Sequence, residues 1–485
     1  MASDHAPWAD VAETHSAAVF FAGDRAYKVK KPVQLEFLDF STREARELVC
    51  HREVELNRRI APDVYLGVAD VVDEAGAPLD HLVVMRRMPA SRRLATLVTE
   101  GEDVVDALRA VAVLVAGLHA RSARNDAADA TASAIALRDR WTENHCTLER
   151  FTPEVFAVGT ADAVHDLACR YLAGRSPLFD ARIRRGRAVD GHGDLLADDI
   201  FCLEDGPRVL DCIEFDDRYR LGDGLADAAF LAMDLERLGR SDLGARFLAE
   251  YAGALGDSWP PSLAHHHIAY RAQVRARVGA VRAAQGDASA GPLAVRLLEL
   301  ARDHLERARV RLVLVGGGPG TGKSTLAAHL ADPFDAVVIR SDEVRKELAG
   351  MPSLTPAAAP FGAGIYTSRS TDATYATMLQ RASIALGMGE SVILDASWLD
   401  EHRRADARDV AAAGHADLTE LELVVPFDVA VARLATRGTD ASDATPEIAS
   451  RMLASAAPWP EAHRVDAAGT EHDTLVQAER ALRDG

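Results

Sequence analysis

Residues 17–31 alternate apolar and polar positions with a single break at Gly23-Asp24, which predicts a β-hairpin of AAVFFA paired with RAYKVKK. The period then changes. Ser41 and Glu44 have capping-box spacing, and Val49, Leu56 and Ile60 draw one apolar stripe, so a helix is expected through this segment. Two more strands, about 64–72 and 79–87, flank the turn Glu74-Ala-Gly-Ala-Pro78, and a helical pattern follows from about 91 to 173. A second strand pair is expected near 199–204 and 208–215, split by Glu204-Asp-Gly-Pro207, before helices resume from Asp223 to about 308. The order is that of a small β-rich lobe followed by a larger helical lobe.

From residue 311 the pattern changes again. Strand-like runs at 311–315 (RLVLV), 335–340 (DAVVIR), 391–395 (SVILD) and 418–425 (LTELELVV) alternate with helical stretches, which implies a parallel sheet with helices on both faces. At 485 residues the chain is too long for one core. The switch near 305–310 divides it into domains of 1–305 and 309–485. The Pro/Ala/Gly-rich stretch Met351 to Gly364 is expected to be a mobile loop of the second domain.

Composition narrows the function classes. A hydrophobic share of 48% and a charged share of 27% describe a soluble globular protein. Fifty-five basic residues against 74 acidic ones give a net charge of −19, which disfavours a nonspecific nucleic-acid partner. The five cysteines are scattered without C-x-x-C spacing, so neither a disulfide framework nor a zinc site is expected. No signal-peptide layout opens the sequence and no apolar run reaches membrane-spanning length, so the expectation is a cytoplasmic protein with no membrane partner. His265, His266 and His267 are consecutive on a predicted helix, where neighbours diverge by about 100°, so they cannot share one face as metal ligands, and a surface or packing role is expected for them.

The strongest chemical signal is GGGPGTGKST, Gly316 to Thr325, set between the strand at 311–315 and a helix-compatible segment. Gly317, Gly322, Lys323 and Ser324 satisfy the phosphate-loop pattern, with Gly318, Pro319, Gly320, Thr321 and Thr325 completing the binding loop. The glycines let backbone N–H groups converge on phosphate oxygens at a helix N-terminus. Lys323 is expected on the β/γ-phosphates of ATP and Ser324 on Mg²⁺. Asp342, just after the second strand, is placed to orient or deprotonate an acceptor hydroxyl, with a plain helix N-cap at Ser341 or Asp342 as the alternative. Asp395 ends an apolar strand as a metal-binding acid would. Arg433 and Arg437, four apart on one helix, could clamp a transferring phosphoryl group, or form an exposed basic face.

A second constellation lies upstream. Gly191-His192-Gly193-Asp194 runs to Asp198 and Asp199, and Glu214, Asp216 and Asp217 close the following strand pair. Carboxylates at both ends of one hairpin can divide the work of accepting a hydroxyl proton and holding Mg²⁺. Lys28 and Lys30 share one face of a strand and are candidates for phosphate contact, with solvated edge charges as the alternative. Glu53 lies on the apolar stripe of the first helix and calls for a cationic partner.

These residues resemble the aminoglycoside phosphotransferase family, which shares the protein-kinase fold, over roughly residues 10–300. The resemblance makes Asp194 the catalytic base and puts Asp199 where the family has a metal-binding asparagine, a departure that adds negative charge. It leaves the downstream metal acid open between Glu214, which is favoured, and Asp216, because the family spacing falls on Phe215. It gives Asp223 and Asp227 helix-capping and loop-bracing roles. The second set, GGGPGTGKST with RSDEVRKELAG, VILDASW and RLATRGTDASDA, resembles P-loop small-molecule kinases of the gluconate-kinase and polynucleotide-kinase-like group. It implies that the loop with Tyr366 and Thr367 covers the acceptor. Together the halves look like bifunctional aminoglycoside phosphotransferase/ATP-binding proteins: an α+β protein-kinase-like bilobal domain followed by an α/β P-loop domain with a parallel sheet. The expected activity is transfer of the ATP γ-phosphate to a hydroxyl of a small molecule. The alternative is a non-catalytic N-terminal module controlling a single P-loop kinase or ATPase.

Overall fold

The computed structural model describes residues 9–484 apart from 14, 15, 36, 37, 353, 354, 356–362 and 437–444. The chain divides into two compact units. The first comprises Met1–Val164, Asp180–Trp259 and His267–His304, and the second His165–Phe179, Pro260–His266 and Leu305–Gly485. Two stretches of the helical lobe, 165–179 and 260–266, thus fall in the second unit.

In the first unit five antiparallel strands form a sheet in the order Ala9–Glu13, Ala17–Ala22, Arg25–Lys30, Pro78–Arg86 and Tyr65–Val72. The predicted hairpin is present, with Ala17 opposite Lys30 and Ala22 opposite Arg25. The outer strand Ala9–Glu13 leaves no trace in the hydrophobic pattern, because all five of its residues are exposed. The helix Arg43–Asn57 packs against Tyr65–Val72 and Pro78–Arg86. Its cap is Thr42 rather than Ser41: the Thr42 hydroxyl accepts from the Ala45 N–H at 3.2 Å. The buried face of that helix carries Cys50, Glu53, Val54 and Asn57, while Ile60 lies beyond its last turn.

The helical lobe is built on buried stripes such as Leu108, Val111, Ala112 and Val115, on a helix that packs against the one carrying Phe247 and Tyr251. Between helices, Ile200–Leu203 and Gly206–Val209 form a hairpin shorter than predicted. Its second strand stops at Val209, and Asp211 takes a left-handed φ of +66°. A further antiparallel pair, Ala188–Asp190 with Leu221–Asp223, draws together the two ends of the segment that holds the acidic residues. The sheet, its single helix and the helical lobe make this unit protein-kinase-like.

In the second unit five parallel strands run in the order Ala336–Arg340, Ser391–Asp395, Arg311–Gly316, Asp417–Val424 and His463–Asp466. Four are the predicted ones. The fifth buries only Val465, too little for periodicity to register. Val313, Val315, Leu326, Leu330, Ile393, Leu421 and Leu423 form the core between sheet and helices, each contributing roughly 1.5–3 kcal/mol of hydrophobic transfer. Among the described residues no helix is long and apolar enough to cross a membrane.

Candidate active sites in the two units

The strand Arg311–Gly316 leads into the glycine loop, and the helix Lys323–Ala331 begins where Gly322 adopts φ +94°. Gly317 and Gly320 are also left-handed, at +132° and +80°, and a Cβ on either would stand 2.6 Å from a backbone oxygen, of Leu423 and Ala430 respectively. Only glycine fits there, and the resulting curvature at a helix N-terminus makes an anion cradle. Lys323 Nζ donates to the Gly318 carbonyl at 2.9 Å, so the ammonium lies back over the loop, and Thr321 Oγ1 donates to the same carbonyl at 2.9 Å.

Ser324 follows in the first helical turn, and its hydroxyl donates to Asp395 Oδ2 at 2.6 Å. Asp395 ends the buried strand Ser391–Asp395. A hydroxyl and a carboxylate side by side offer hard oxygen ligands, a donor set that suits Mg²⁺. Asp342 is the second residue of the helix Ser341–Leu348, whose N-cap is Arg340 with no side-chain cap bond, so neither Ser341 nor Asp342 serves as the cap. Pro319 to Thr325, Asp342, Asp395 and Arg433 line one cleft of about 1090 Å³. Its lining also includes Arg345, which lies 5.0 Å from the Tyr366 ring and donates to Thr371 Oγ1 at 3.0 Å, and Arg403, 4.5 Å from the Tyr375 ring. Arg433 Nη2 donates to the Ala467 carbonyl at 2.8 Å. Arg437 and most of the loop from Met351 to Gly364 lie outside the described residues. Thr367 caps the helix Ser368–Gly387. Sequence reasoning missed Arg345 and Arg403; the signal available was a basic residue one turn from Asp342 and another beginning the helix after Asp395.

In the first unit both candidate lysines reach Glu53. Lys28 Nζ lies 2.9 Å from Glu53 Oε1 and 2.5 Å from Asp211 Oδ1, while Lys30 Nζ lies 2.6 Å from both Glu53 Oε2 and Glu214 Oε1. Burial alone would lower the lysine values, but Asp211, Glu53 and Glu214 outweigh it and hold Lys28 well above the usual range. Burial likewise opposes ionisation of Asp211, yet Lys28 and Lys30 bring that carboxyl down to about 2. Lys30 is almost fully enclosed, lies over the Phe40 ring and pairs Glu53 with Glu214, whereas Lys28 pairs Glu53 with Asp211.

Asp194 is about a third open to solvent, with Arg275 Nη1 at 3.9 Å. Desolvation in the cleft raises its pKa, with Arg275 and His192 opposing. Desolvation also lifts Asp199 well above the usual carboxylate range, and the like charges of Asp211 and Asp194 add to that. An acid whose charge acts on both Asp194 and Asp199 is Asp211, which the sequence reading does not name. The two acids it does name are engaged elsewhere. Glu214 is bound to Lys30, and Asp216 caps the short turn Asp217–Tyr219 and pairs with Arg218 at 2.7 Å. Asp211 had a legible signal: it follows the apolar pair Val209-Leu210 just as Asp395 follows Val392-Ile-Leu394.

Asp223 and Asp227 take the expected places. Asp223 caps the helix Gly224–Arg237 through the Leu225 N–H at 2.8 Å, and Asp227 accepts from the His192 and Gly193 N–H groups at 2.7 and 2.8 Å and from His119 at 3.0 Å. The loop carrying Asp194 is thereby fixed from behind.

A family profile described as an AAA domain matches residues 312–459. The uncharacterized protein Rv2004c of Mycobacterium tuberculosis and the uncharacterized protein Mb2027c of Mycobacterium bovis are each 45% identical over 472 residues, 97% of this chain and 95% of theirs. Similar solved structures include a choline/ethanolamine kinase family protein from Mesorhizobium loti, 16% identical over 63% of this chain and 94% of that one (TM-score 0.39). A gluconokinase from Sinorhizobium meliloti is 18% identical over 36% and 92% (TM-score 0.28). Sharing 45% identity over nearly its whole length, this chain belongs to one family with the two mycobacterial proteins.

Proposed function

We propose that the protein is an ATP-dependent phosphotransferase that moves the γ-phosphate to a hydroxyl of a small molecule, with the P-loop unit as its principal site. One observation carries this reading: the glycine loop, the Ser324–Asp395 pair and Asp342 line a single cleft with room for a nucleotide and an acceptor. Backbone N–H groups and Lys323 bind the phosphates, Asp342 orients the acceptor hydroxyl and receives its proton, and Arg433 faces the developing charge. Ser324 and Asp395 would hold Mg²⁺, which supplies charge neutralisation between phosphate oxygens. In the first unit Asp194 takes the base role and Lys28 the phosphate role, with Asp199 and Asp211 as acids for a metal.

The test is ATP consumption by the full-length protein across sugars, aminoglycosides, nucleosides and oligonucleotides, for wild type, Lys323→Ala, Asp194→Ala and the double variant. With the right acceptor, Lys323→Ala lowers turnover at least about a hundredfold, and the double variant is inactive. A double variant with full activity would sink the proposal.

A second reading makes the first unit a nucleotide- or substrate-binding module that controls the P-loop unit without transferring phosphate. It is favoured by the spread of the acidic groups: among the described residues, the one trio of metal-capable groups drawn within 4.8 Å is His145, Glu149 and Asp162, not Asp194, Asp199 and Asp211. Acceptor-dependent turnover that survives Lys323→Ala and vanishes with Asp194→Ala excludes this reading.

A further inference from the structure

The two oxygens that suit a divalent ion in the P-loop unit are already held by a cation of the chain. Asp395 Oδ2 accepts from the Ser324 hydroxyl at 2.6 Å and from Arg340 Nε at 3.2 Å, and Arg340 Nη2 donates to Ser324 Oγ at 3.1 Å. The guanidinium therefore binds the same two side chains that would hold a metal ion. Strand register puts it there: Arg340 ends the strand Ala336–Arg340 directly opposite Asp395, which ends its parallel neighbour. A third nitrogen, Nη1, is tethered to Glu343 at 3.2 Å.

Asp395 is only 5% exposed, and a buried carboxylate is costly without a cation. Arg340 meets that need, but its bond and the serine's both fall on one carboxylate oxygen. A divalent ion arriving alone must compete with both donors for Asp395 and sit beside a guanidinium of like charge. A nucleotide arriving with the metal changes the balance, because its phosphate oxygens accept the N–H groups that Asp395 releases.

We propose that Arg340 sets the order of binding: it makes divalent-ion binding at Ser324 and Asp395 conditional on bound nucleotide. The inference rests on the P-loop site proposed above and concerns the order in which that site fills.

Mn²⁺ titration of the full-length protein, followed by the electron paramagnetic resonance of the free ion, tests it. Without nucleotide, wild type should show no Asp395-dependent site below about millimolar Mn²⁺. Arg340→Met should create a site at least tenfold tighter, and Arg340→Met/Asp395→Asn should lose it. With a non-hydrolysable ATP analogue, wild type and Arg340→Met should bind Mn²⁺ within about threefold of each other. Arg340→Gln keeps a hydrogen-bond donor to Asp395 without the charge, and should behave like the Met variant if that one fails to fold. An Arg340 variant with unchanged or weaker nucleotide-free Mn²⁺ binding overturns the proposal, as does a wild-type site that is already tight and Asp395-dependent. Failure of the P-loop reading would appear separately, as wild type that does not bind the ATP analogue.

Discussion

Lys28 and Lys30 look equivalent as letters on a strand, two apart and on one face, and only their partners separate them. Lys30 is enclosed between Glu53 and Glu214, whereas Lys28 joins Glu53 to Asp211 at the mouth of the acidic loop. Lys30→Met leaves Glu214 buried without its cation and removes one of two from Glu53. The expected loss is about 3 kcal/mol of stability, read by urea denaturation. Asp216→Asn breaks a pair whose arginine is 80% exposed, and should cost no more than about 0.5 kcal/mol. Equal stability in the two variants would refute the division of roles. The same contrast shows what the sequence conceals at this scale. Asp395 was legible because an uninterrupted apolar strand leads to it. Asp211 follows only the short apolar pair Val209-Leu210, a weaker signal of the same kind, and family spacing points four residues downstream of it.

Between elements, the informative feature is a buried charge cluster where three helices of the first unit converge. Arg182, on the helix Ser176–Arg184, binds Asp223, the cap of Gly224–Arg237, and Asp257 at 2.9 Å. His267, on Pro261–Ala284, faces the same group. Burial pushes the His267 imidazole down to about 4, with Arg182, Arg271 and Arg140 reinforcing this and Asp223 opposing it. The folded state therefore takes up fewer protons than the unfolded chain between the unfolded histidine value, about 6.5, and about 4. The stabilisation is whole above pH 6.5 and is lost as pH falls through that window, by on the order of 2–3 kcal/mol near pH 4.5. Asp223, held low by Arg182 against its burial, loses its share only further into acid, below the ordinary carboxylate range. Denaturant melts at pH 7.5 and 4.5 should show this loss in wild type and a smaller one in His267→Phe. An identical pH slope in both proteins would reject the assignment. Helix positions were readable from periodicity here, and the caps Asp223 and Thr42 nearly so. The charge cluster was not, because it joins residues from three segments far apart in sequence.

For the whole molecule, the hydrophobic pattern changes near residue 305, and the second compact unit combines Leu305–Gly485 with two stretches from further upstream. What periodicity cannot report is the allegiance of 165–179 and 260–266, which are parts of the ordinary amphipathic helices Thr160–Gly174, Ser176–Arg184 and Pro261–Ala284. Within the second unit these stretches make specific contacts. Ser262 Oγ donates to the Gly389 carbonyl at 2.7 Å and lies 3.1 Å from the Tyr171 hydroxyl, and Arg175 Nη1 donates to the Gly414 carbonyl at 2.5 Å. Arg170 and Arg309 both bind Asp417. A fragment of residues 305–485 keeps the five strands and the glycine loop but leaves these acceptors without Ser262, Arg175 and Arg170. Each lost hydrogen bond is worth about 1 kcal/mol, so a deficit of roughly 2–3 kcal/mol and a melting point lower by several degrees are expected. The comparison is calorimetric: the fragment against the full chain, and the full chain against Ser262→Ala/Arg175→Ala, which should reproduce most of the shift while leaving the cut unmade. A fragment that melts with or above the P-loop transition of the intact protein would mean that the two stretches contribute nothing to its stability.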